Sequence, residues 1–242
     1  MKNHSSTKYD FSNRIVLVTG GTGALGSSIT KAFVESNATV ISSYISDREK
    51  EHAQQENKLI VQLVKANITK EDEVIKLVSN IIDEYSRIDI LVNVVGAYIG
   101  GKSVSELEEE EWDLMMTLNL KSAFLISKHV IQQMLSSQYG KIIHISSRNG
   151  LHSEGYDSAY SASKSGLIRL VESLSKETKE SNINVNCIMP STIDTRANRK
   201  AMPNADFNKW VKPENLANVV LFLSSEESNT ITGAAIPTFG VL

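Results

Sequence analysis

Short apolar runs and longer amphipathic stretches alternate along the whole chain. The apolar runs are rich in β-branched residues and predict strands at residues 14–19, 38–44, 58–64, 88–95, 141–146 and 182–189. Helical periodicity predicts helices at residues 24–36, 70–85, 110–136, 156–180 and 213–224. The first strand carries no polar alternation, which is typical of a parallel sheet covered on both faces. The pattern therefore predicts an α/β fold with a doubly wound parallel sheet and right-handed crossovers.

The length and the charge fit one globular domain. A chain of 242 residues has room for one α/β domain and for no second sizeable core. We therefore expect a polar tail over residues 1–9 and a single domain over residues 10–242. The formal net charge of -3 gives no electrostatic reason to expect nucleic acid or an anionic membrane as a partner.

Several sequence features bear on the compartment and on metal chemistry. Residues 1–8 lack the apolar segment of a signal peptide, and no apolar run is long enough to span a bilayer. The only cysteine, Cys187, excludes a disulfide within one chain, and we expect it to be a buried thiol. The acidic run at residues 108–111 is interpreted as a solvated first helical turn, so no metal site is expected. These features predict a soluble, cytoplasmic protein.

A glycine-rich turn follows the first predicted strand and opens the first predicted helix. It reads Thr-Gly-Gly-Thr-Gly-Ala-Leu-Gly at residues 19–26. Glycine lets the backbone approach a ligand closely, and the N-terminus of a helix attracts phosphate. The order strand, turn and helix is the setting of a dinucleotide-binding turn, and a purely structural turn is the alternative.

Tyr160 and Lys164 lie four residues apart in the helical pattern at residues 156–180. Residues i and i+4 share one face of a helix, so the phenol and the ammonium can point into one site. A phenol loses its proton near pH ~10, and a neighbouring cation lowers that pKa towards the range of acid–base catalysis. The pair therefore predicts a proton-transfer site beside the nucleotide.

The end of the second predicted strand bears on the choice between NAD and NADP. An acidic residue there would accept from the 2′-hydroxyl of NAD and repel the 2′-phosphate of NADP. Tyr44 occupies that position instead. Ser43, Ser46 and Arg48 could bind a phosphate, although Asp47 and Arg48 could equally open the next helix on the surface. NADP is therefore favoured over NAD.

Taken in order, these motifs resemble those of the short-chain dehydrogenase/reductase family over residues 10–240. The resemblance rests on Thr19-Gly20-x-x-x-Ala24-x-Gly26, Asn93-x-x-Gly96, Asn119, Ser147, Tyr160-x-x-x-Lys164 and the segment from Pro190 to Thr195. It implies a single Rossmann-fold domain and an NAD(P)-dependent oxidoreductase. Such an enzyme transfers hydride between a nicotinamide cofactor and a carbonyl or alcohol group of a small substrate.

The resemblance also implies a role for each residue of a catalytic set. Tyr160 would be the general acid or base on the substrate oxygen, and Ser147 would hydrogen-bond the same oxygen. Lys164 would hold the nicotinamide ribose and lower the pKa of Tyr160. Asn119 would hold a water molecule that links Lys164 to solvent. His144, in the middle of a predicted strand, is interpreted as a packed histidine.

Further cofactor contacts are implied by position in the family pattern. Besides Tyr160 and Lys164, they are Gly20, Thr22, Gly23, Ala24, Leu25, Gly26, Tyr44, Arg48, Asn67, Ile68, Asn93, Gly96, Pro190, Ile193 and Thr195. Four positions depart from the pattern: Asn67 replaces an aspartate, Val94-Val95 replace Asn-Ala, Ser191 replaces a glycine and Ala24 replaces a glycine. None of these departures removes a catalytic group.

The segment at residues 192–210 takes the position of the substrate loop and resembles that of quinonoid dihydropteridine reductases within the same family. Arg196, Arg199 and Lys200 give it a basic face. Phe207 and Trp210 could cover a planar or apolar ligand, or could pin the loop to the domain.

Two alternatives to a carbonyl reductase stay open. A pteridine reductase would share the fold, but the presence of Ser147 and the absence of an acid at Tyr44 argue against it. A non-catalytic dinucleotide-sensing protein belongs to another class, and the intact pair of Tyr160 and Lys164 argues against it. The family further implies a homodimer or homotetramer that pairs the helices predicted at residues 110–136 and 156–180.

Overall fold

The computed structural model describes residues 9–56 and 61–240. Within these ranges the strands are β1 (Ile15–Thr19), β2 (Thr39–Tyr44), β3 (Gln62–Lys65), β4 (Ile90–Asn93), β5 (Gly140–Ile145), β6 (Ile183–Pro190) and β7 (Ala235–Thr238). The α-helices are α1 (Ala24–Glu35), α2 (Asp47–Glu56), α3 (Glu71–Tyr85), α4 (Glu109–Met116), α5 (Ser122–Ser137), α6 (Ser158–Glu177), α7 (Arg196–Ala201) and α8 (Pro213–Ser224).

The strands form one sheet in the order β3-β2-β1-β4-β5-β6-β7, and all neighbours in it are parallel. The strand order reverses between β1 and β4, whose last residues Thr19 and Asn93 are register partners. Ligands of such sheets bind beyond the carboxyl ends of the strands at this reversal. The predicted doubly wound parallel sheet of a Rossmann fold is confirmed.

Helices cover both faces of the sheet, which explains the uniformly apolar strands. In β1, Ile15 and Leu17 pack into the cluster under α3, α5 and α6. Val16 and Val18 pack into the cluster under α1 and α8. Every β1 side chain is therefore buried whichever face it takes. This two-sided packing holds the strand ends that carry the site.

The helix predicted at residues 110–136 is interrupted in the structure. Helix α4 ends at Met116, a π-helical turn spans Thr117–Lys121, and α5 follows. The backbone N–H of Ser122 bonds the carbonyl oxygen of Thr117, which is the wider spacing of a π turn. The prediction of one continuous helix is therefore wrong at the turn that contains Asn119.

Other differences concern short or polar elements. Helices α2 and α7 and the edge strand β7 lie where the sequence pattern predicts no element. The strand predicted at residues 58–64 lies partly outside the described residues, and its described counterpart is β3. The tail predicted at residues 1–9 also lies outside them, apart from Tyr9.

Two searches of the described residues bear on membranes and metals. None of the helices in this part of the chain combines the length and the apolar character needed to cross a membrane. No His, Cys, Asp and Glu side chains gather there into a group that could hold a metal ion.

Candidate active site

The glycine-rich turn between β1 and α1 is shaped by its glycines. Gly20 adopts a φ of 66°, in the left-handed region that side chains disfavour. A Cβ on Gly26 would overlap the carbonyl oxygen of Gly20 and lie 2.7 Å from Cα of Gly21. Helix α1 therefore starts directly against the end of β1, as a dinucleotide-binding turn requires.

The N-terminus of α1 fits a phosphate group. Gly23 precedes the helix, none of the described side chains caps it, and its first turn holds no acidic residue. Gly23 and Ala24 are exposed, Thr22 is half-buried, and Leu25 packs into the core. The free N–H groups and the positive end of the helix dipole suit the pyrophosphate of a dinucleotide.

Gly96 brings Asn119 and Lys164 to one point beyond β4. A Cβ on Gly96 would lie 2.7 Å from Oδ1 of Asn119 and 3.1 Å from Nζ of Lys164. Any larger residue would push these two side chains away, which is a physical reason for glycine here. Asn93 turns its own side chain inward, where Oδ1 accepts from the hydroxyl of Thr19 at 2.5 Å.

Asn119 is fully buried in the π turn between α4 and α5. Its Oδ1 accepts from the backbone N–H of Ala97 at 2.9 Å. Its Nδ2 donates to the carbonyl oxygen of Ala97 at 3.0 Å and to the hydroxyl of Ser163 at 3.1 Å. The π turn therefore places Asn119 between the loop after β4 and helix α6.

Ser147 follows β5, and Tyr160 lies in the first turn of α6. Ser147 is buried, and its hydroxyl lies close enough to Tyr160 to affect the pKa of the phenol. Burial raises the pKa of Tyr160, the nearby hydroxyl of Ser147 lowers it, and the Asp157 carboxylate raises it; burial dominates. Tyr160 is therefore protonated at neutral pH, as a proton donor must be.

Lys164 lies one turn after Tyr160 and is buried. Its Nζ donates to the carbonyl oxygen of Ile145 at 2.9 Å and lies 5.9 Å from the centroid of the Tyr160 ring. Burial lowers the pKa of Lys164 to about 8. Burial of the phenol is the largest cause of the shift and raises the pKa of Tyr160, while the ammonium of Lys164 bonds the carbonyl oxygen of Ile145.

The residues expected at the adenosine end of a dinucleotide follow β2 and β3. Tyr44 ends β2 and is buried, whereas Arg48 is exposed on α2 and has no ion-pair partner among the described residues. Asn67 follows β3, and its Oδ1 accepts from the N–H and the hydroxyl of Thr69. Ile68 is buried beside it. The Nδ2 group of Asn67 is therefore available to donate a hydrogen bond to a ligand.

The loop at residues 192–210 leaves the end of β6 and returns to it. Pro190 is the last residue of β6. Ile193 pairs with Val211 in an isolated parallel bridge, which closes the loop at its base. Thr195 caps α7, since its hydroxyl accepts from the N–H of Asn198 at 3.1 Å. These contacts hold both ends of the loop beside the carboxyl edge of the sheet.

Basic and aromatic residues of this loop bind one another. Arg199 donates from Nε and Nη2 to the carboxylate of Asp194 at 2.5 and 2.8 Å. Its guanidinium carbon lies 4.7 Å from the centroid of the Phe207 ring, and the rings of Phe207 and Trp210 lie 4.8 Å apart. Arg199 and the two rings thus contact one another within the loop, and Arg196 is exposed as well.

Three polar residues around Tyr160 are not singled out by the sequence. The ring of Tyr98 packs edge-on against the ring of Tyr160, with centroids 4.9 Å apart. Its hydroxyl donates to the carboxylate of Asp157, which also accepts from the side chain of Asn149. Tyr98 and Asp157 are 59 positions apart, so no local spacing in the chain signals their contact.

Comparison with known proteins bears on the same assignment. A family model described as short chain dehydrogenase matches residues 14–206. The chain is 31% identical over 240 residues to the 3-oxoacyl-(acyl-carrier-protein) reductase FabG of Thermotoga maritima, covering 95% of this chain and 97% of that protein. It is 32% identical over 234 residues to an NAD-dependent glycerol dehydrogenase of Listeria innocua, covering 93% and 92% respectively. The crystal structure of gox2181 has a TM-score of 0.88 at 26% identity, with 96% of each chain covered. This chain therefore belongs to the short chain dehydrogenase family.

Proposed function

We propose that this protein interconverts a carbonyl and an alcohol on a small substrate, with NADP favoured over NAD as the hydride carrier. The observation that carries the proposal is the meeting of Ser147, Tyr160 and Lys164 beyond the end of β5. The glycine-rich turn lies at the same carboxyl edge of the sheet, at the reversal of strand order. Hydride transfer to a carbonyl needs such a proton donor within reach of the nicotinamide.

Tyr160 is the proton donor in the direction of carbonyl reduction. Its raised pKa keeps the phenol protonated at neutral pH, so it can give a proton to the substrate oxygen as negative charge develops there. Ser147, beside Tyr160, donates its hydroxyl hydrogen to the same oxygen and orients it. A bound nicotinamide cofactor supplies the hydride, and alcohol oxidation runs the same proton transfer backwards.

Lys164 and Asn119 assist this proton transfer without donating the proton themselves. Lys164 has a pKa of about 8, so its ammonium is mainly charged at neutral pH and can hold the hydroxyls of a ribose. The two side chains meet at Gly96, next to the loop after β4. We assign to them the path by which Tyr160 recovers its proton after each reduction.

The preference for NADP is supported by the residues after β2. Tyr44 stands where an acid would bind the 2′-hydroxyl of NAD, and the exposed guanidinium of Arg48 is available to a 2′-phosphate. One relative is named as an NAD-dependent enzyme, so relatives of this similarity do not decide the cofactor. The cofactor preference is decided by the turnover rates measured with NADPH and with NADH.

The substrate class is also a choice between alternatives. Relatives of similar identity are named for a 3-oxoacyl carrier-protein substrate and for glycerol. The loop at residues 192–210 resembles that of pteridine reductases, but Arg199, Phe207 and Trp210 bind within the loop itself. Because those groups are occupied, a carbonyl substrate is favoured over a pteridine.

Oxidation of NADPH and of NADH with a substrate panel separates these possibilities. The panel contains acetoacetyl-CoA, simple ketones and aldehydes, and quinonoid dihydropterin, with glycerol oxidation measured in the reverse direction. We expect turnover with a carbonyl compound and a lower KM for NADPH than for NADH. Turnover with the pterin alone would instead indicate a pteridine reductase. Tight NADPH binding without any turnover would indicate a sensing protein.

A Tyr160→Phe variant tests the mechanism directly. We expect kcat to fall by about 10²- to 10⁴-fold, because general acid catalysis is lost, while the Kd for NADPH changes little. Tyr156→Phe is the matched control, since it removes an exposed phenol four residues earlier and should leave kcat unchanged. Undiminished turnover of Tyr160→Phe would overturn the proposed role.

We further propose a homodimer or homotetramer that works in the cytoplasm. Helices α4 and α5 expose the apolar side chains Trp112, Leu114, Phe124 and Leu135, which a second copy would cover. The free thiol of Cys187 suits a reducing compartment.

A further inference from the structure

Asp157 is a buried carboxylate at the start of α6 whose side-chain hydrogen bonds go to other parts of the chain. It takes the N-cap position, yet its side chain makes no capping hydrogen bond. Its Oδ1 accepts from the hydroxyl of Tyr98 at 2.8 Å, and its Oδ2 accepts from Nδ2 of Asn149 at 2.7 Å. Its side-chain hydrogen bonds therefore join two loops that flank Tyr160.

One of these two hydrogen bonds connects Asp157, through Asn149, to Ser147. Asn149 lies in the 3-10 turn Arg148–Gly150, and its backbone N–H donates to Oγ of Ser147 at 3.2 Å. Because Oγ accepts this bond, the hydroxyl hydrogen of Ser147 is free to point at Tyr160 or at a substrate oxygen. The bond from the Asn149 side chain to Asp157 holds the turn that offers the N–H.

The other hydrogen bond connects Asp157, through Tyr98, to the ring of Tyr160. Tyr98 is 61% exposed, so packing alone fixes its ring weakly. The bond from its hydroxyl to Asp157 holds that ring edge-on to Tyr160, with an interplanar angle of 87°. A Cβ on Gly100 would overlap both Oδ1 of Asp157 and the hydroxyl of Tyr98. The loop after β4 therefore permits this contact only with a residue as small as glycine at that point.

We propose that Asp157 is a positioning residue for the reaction: it aims Ser147 through Asn149 and holds Tyr98 against Tyr160. This inference rests on the roles proposed above for Ser147 and Tyr160. Asp157 itself touches neither substrate nor cofactor in this scheme. Its carboxylate adds negative charge beside Tyr160, which helps to keep the phenol protonated.

Substitutions at Asp157 separate its hydrogen bonds from its charge. With acetoacetyl-CoA and NADPH, Asp157→Ala should lower kcat by about 10- to 100-fold, because Ser147 and Tyr160 lose their alignment. The Kd for NADPH should stay unchanged. Asp157→Asn should recover most of kcat, since its amide can accept from Asn149 and donate to the oxygen of Tyr98.

The pH profile supplies a readout that a purely structural role would not move. The groups that face Tyr160 are Ser147, Lys164, Tyr98 and Asp157. Removing the charge of Asp157 favours the phenolate, so the alkaline limb of kcat/KM for reduction should move to lower pH in Asp157→Asn. Glu154→Gln is the control: it removes an exposed carboxylate from the same loop and should leave the profile unchanged.

Variants that remove only one of the two hydrogen bonds to Asp157 keep the test valid if Asp157→Ala fails to fold. Tyr98→Phe removes only the hydroxyl, and Asn149→Ala removes only the side-chain bond; each should lower kcat less than Asp157→Ala does. Wild-type kcat and pH profile in all these variants would overturn the inference. Full activity of Tyr160→Phe would instead overturn the proposed mechanism, so the two failures are distinguishable.

Discussion

His144 in β5 is fully buried and forms part of a chain of polar side chains that ends at the glycine-rich turn. The hydroxyl of Thr19 donates to Oδ1 of Asn93, so Nδ2 of Asn93 faces Nδ1 of His144 at 3.3 Å. His144 Nδ1 must therefore accept, and Nε2–H donates to the hydroxyl of Ser127 at 3.0 Å. Burial, with a smaller effect of Lys164, lowers the pKa of His144 to about 3.

Acid should therefore destabilise the protein through His144. The unfolded chain binds a proton near pH 6.5 and the folded one only near pH 3, so stability is complete above pH 6.5 and is lost as pH falls. The loss can reach about 1.4 kcal/mol per pH unit for this one group. Urea unfolding at pH 7.5 and pH 5 should show a smaller loss for His144→Gln than for the wild type. His152→Gln, at an exposed histidine, should behave as the wild type; an equal loss in all three would contradict the prediction.

At the scale of single residues, the sequence predicts part of the site. Ser147, Tyr160 and Lys164 stand at recognisable spacings because they follow one strand and open one helix. Tyr98 and Asp157 could not be predicted, because their contact joins loops 59 positions apart and each residue alone is ordinary for a loop. The pKa of Tyr160 could not be predicted either, since it depends on how deeply the ring is buried.

At the scale of elements, the junction of β1 and α1 depends on the absence of one side chain. A methyl group at position 26 would overlap the backbone of Gly20, which cannot move without disturbing the strand end. Gly26→Ala should therefore lower the free energy of unfolding by about 1–3 kcal/mol and weaken NADPH binding. Urea unfolding without cofactor and fluorescence titration with NADPH measure the two effects.

Gly23→Ala is the matched control for folding. Its Cβ would lie 3.5 Å from the carbonyl oxygen of Gly20, which is ordinary contact, and its φ of -74° suits any residue. The free energy of unfolding should therefore stay near that of the wild type. Equal destabilisation by the two substitutions would show that the close approach at Gly26 does not matter.

The elements that the sequence pattern misses lack the signals on which such predictions depend. The sequence of helix α2, DREKEHAQQE, contains no regularly spaced apolar residues, so no hydrophobic periodicity predicts it. Strand β7 has four residues, one of them Pro237, and within the described part of the chain it pairs only with β6. The π turn at Thr117–Lys121 shifts the spacing by one residue inside a sequence whose helical pattern continues.

At the scale of the whole molecule, the exposed apolar side chains of α4 and α5 predict self-association. Phe124 is 47% exposed on α5, and Phe124→Glu would place a charge in the proposed interface. Light scattering should give a dimer or tetramer for the wild type and a smaller particle for this variant. Ile75→Glu on α3, at a position 48% exposed, is the matched control and should keep the wild-type mass. A wild-type monomer at micromolar concentration would contradict the prediction.

The central place of β1 in the sheet has a consequence for newly made chains. β1 pairs with β2 on one side and with β4 on the other, and Asn93 follows Thr19 by 74 positions. At roughly 5–20 residues per second, synthesis leaves about 4–15 s between the appearance of these two residues. During that interval one edge of β1 offers unpaired N–H and C=O groups to any other strand nearby. Nascent chains of this protein should therefore be most prone to mispairing, and most in need of a chaperone, before β4 leaves the ribosome.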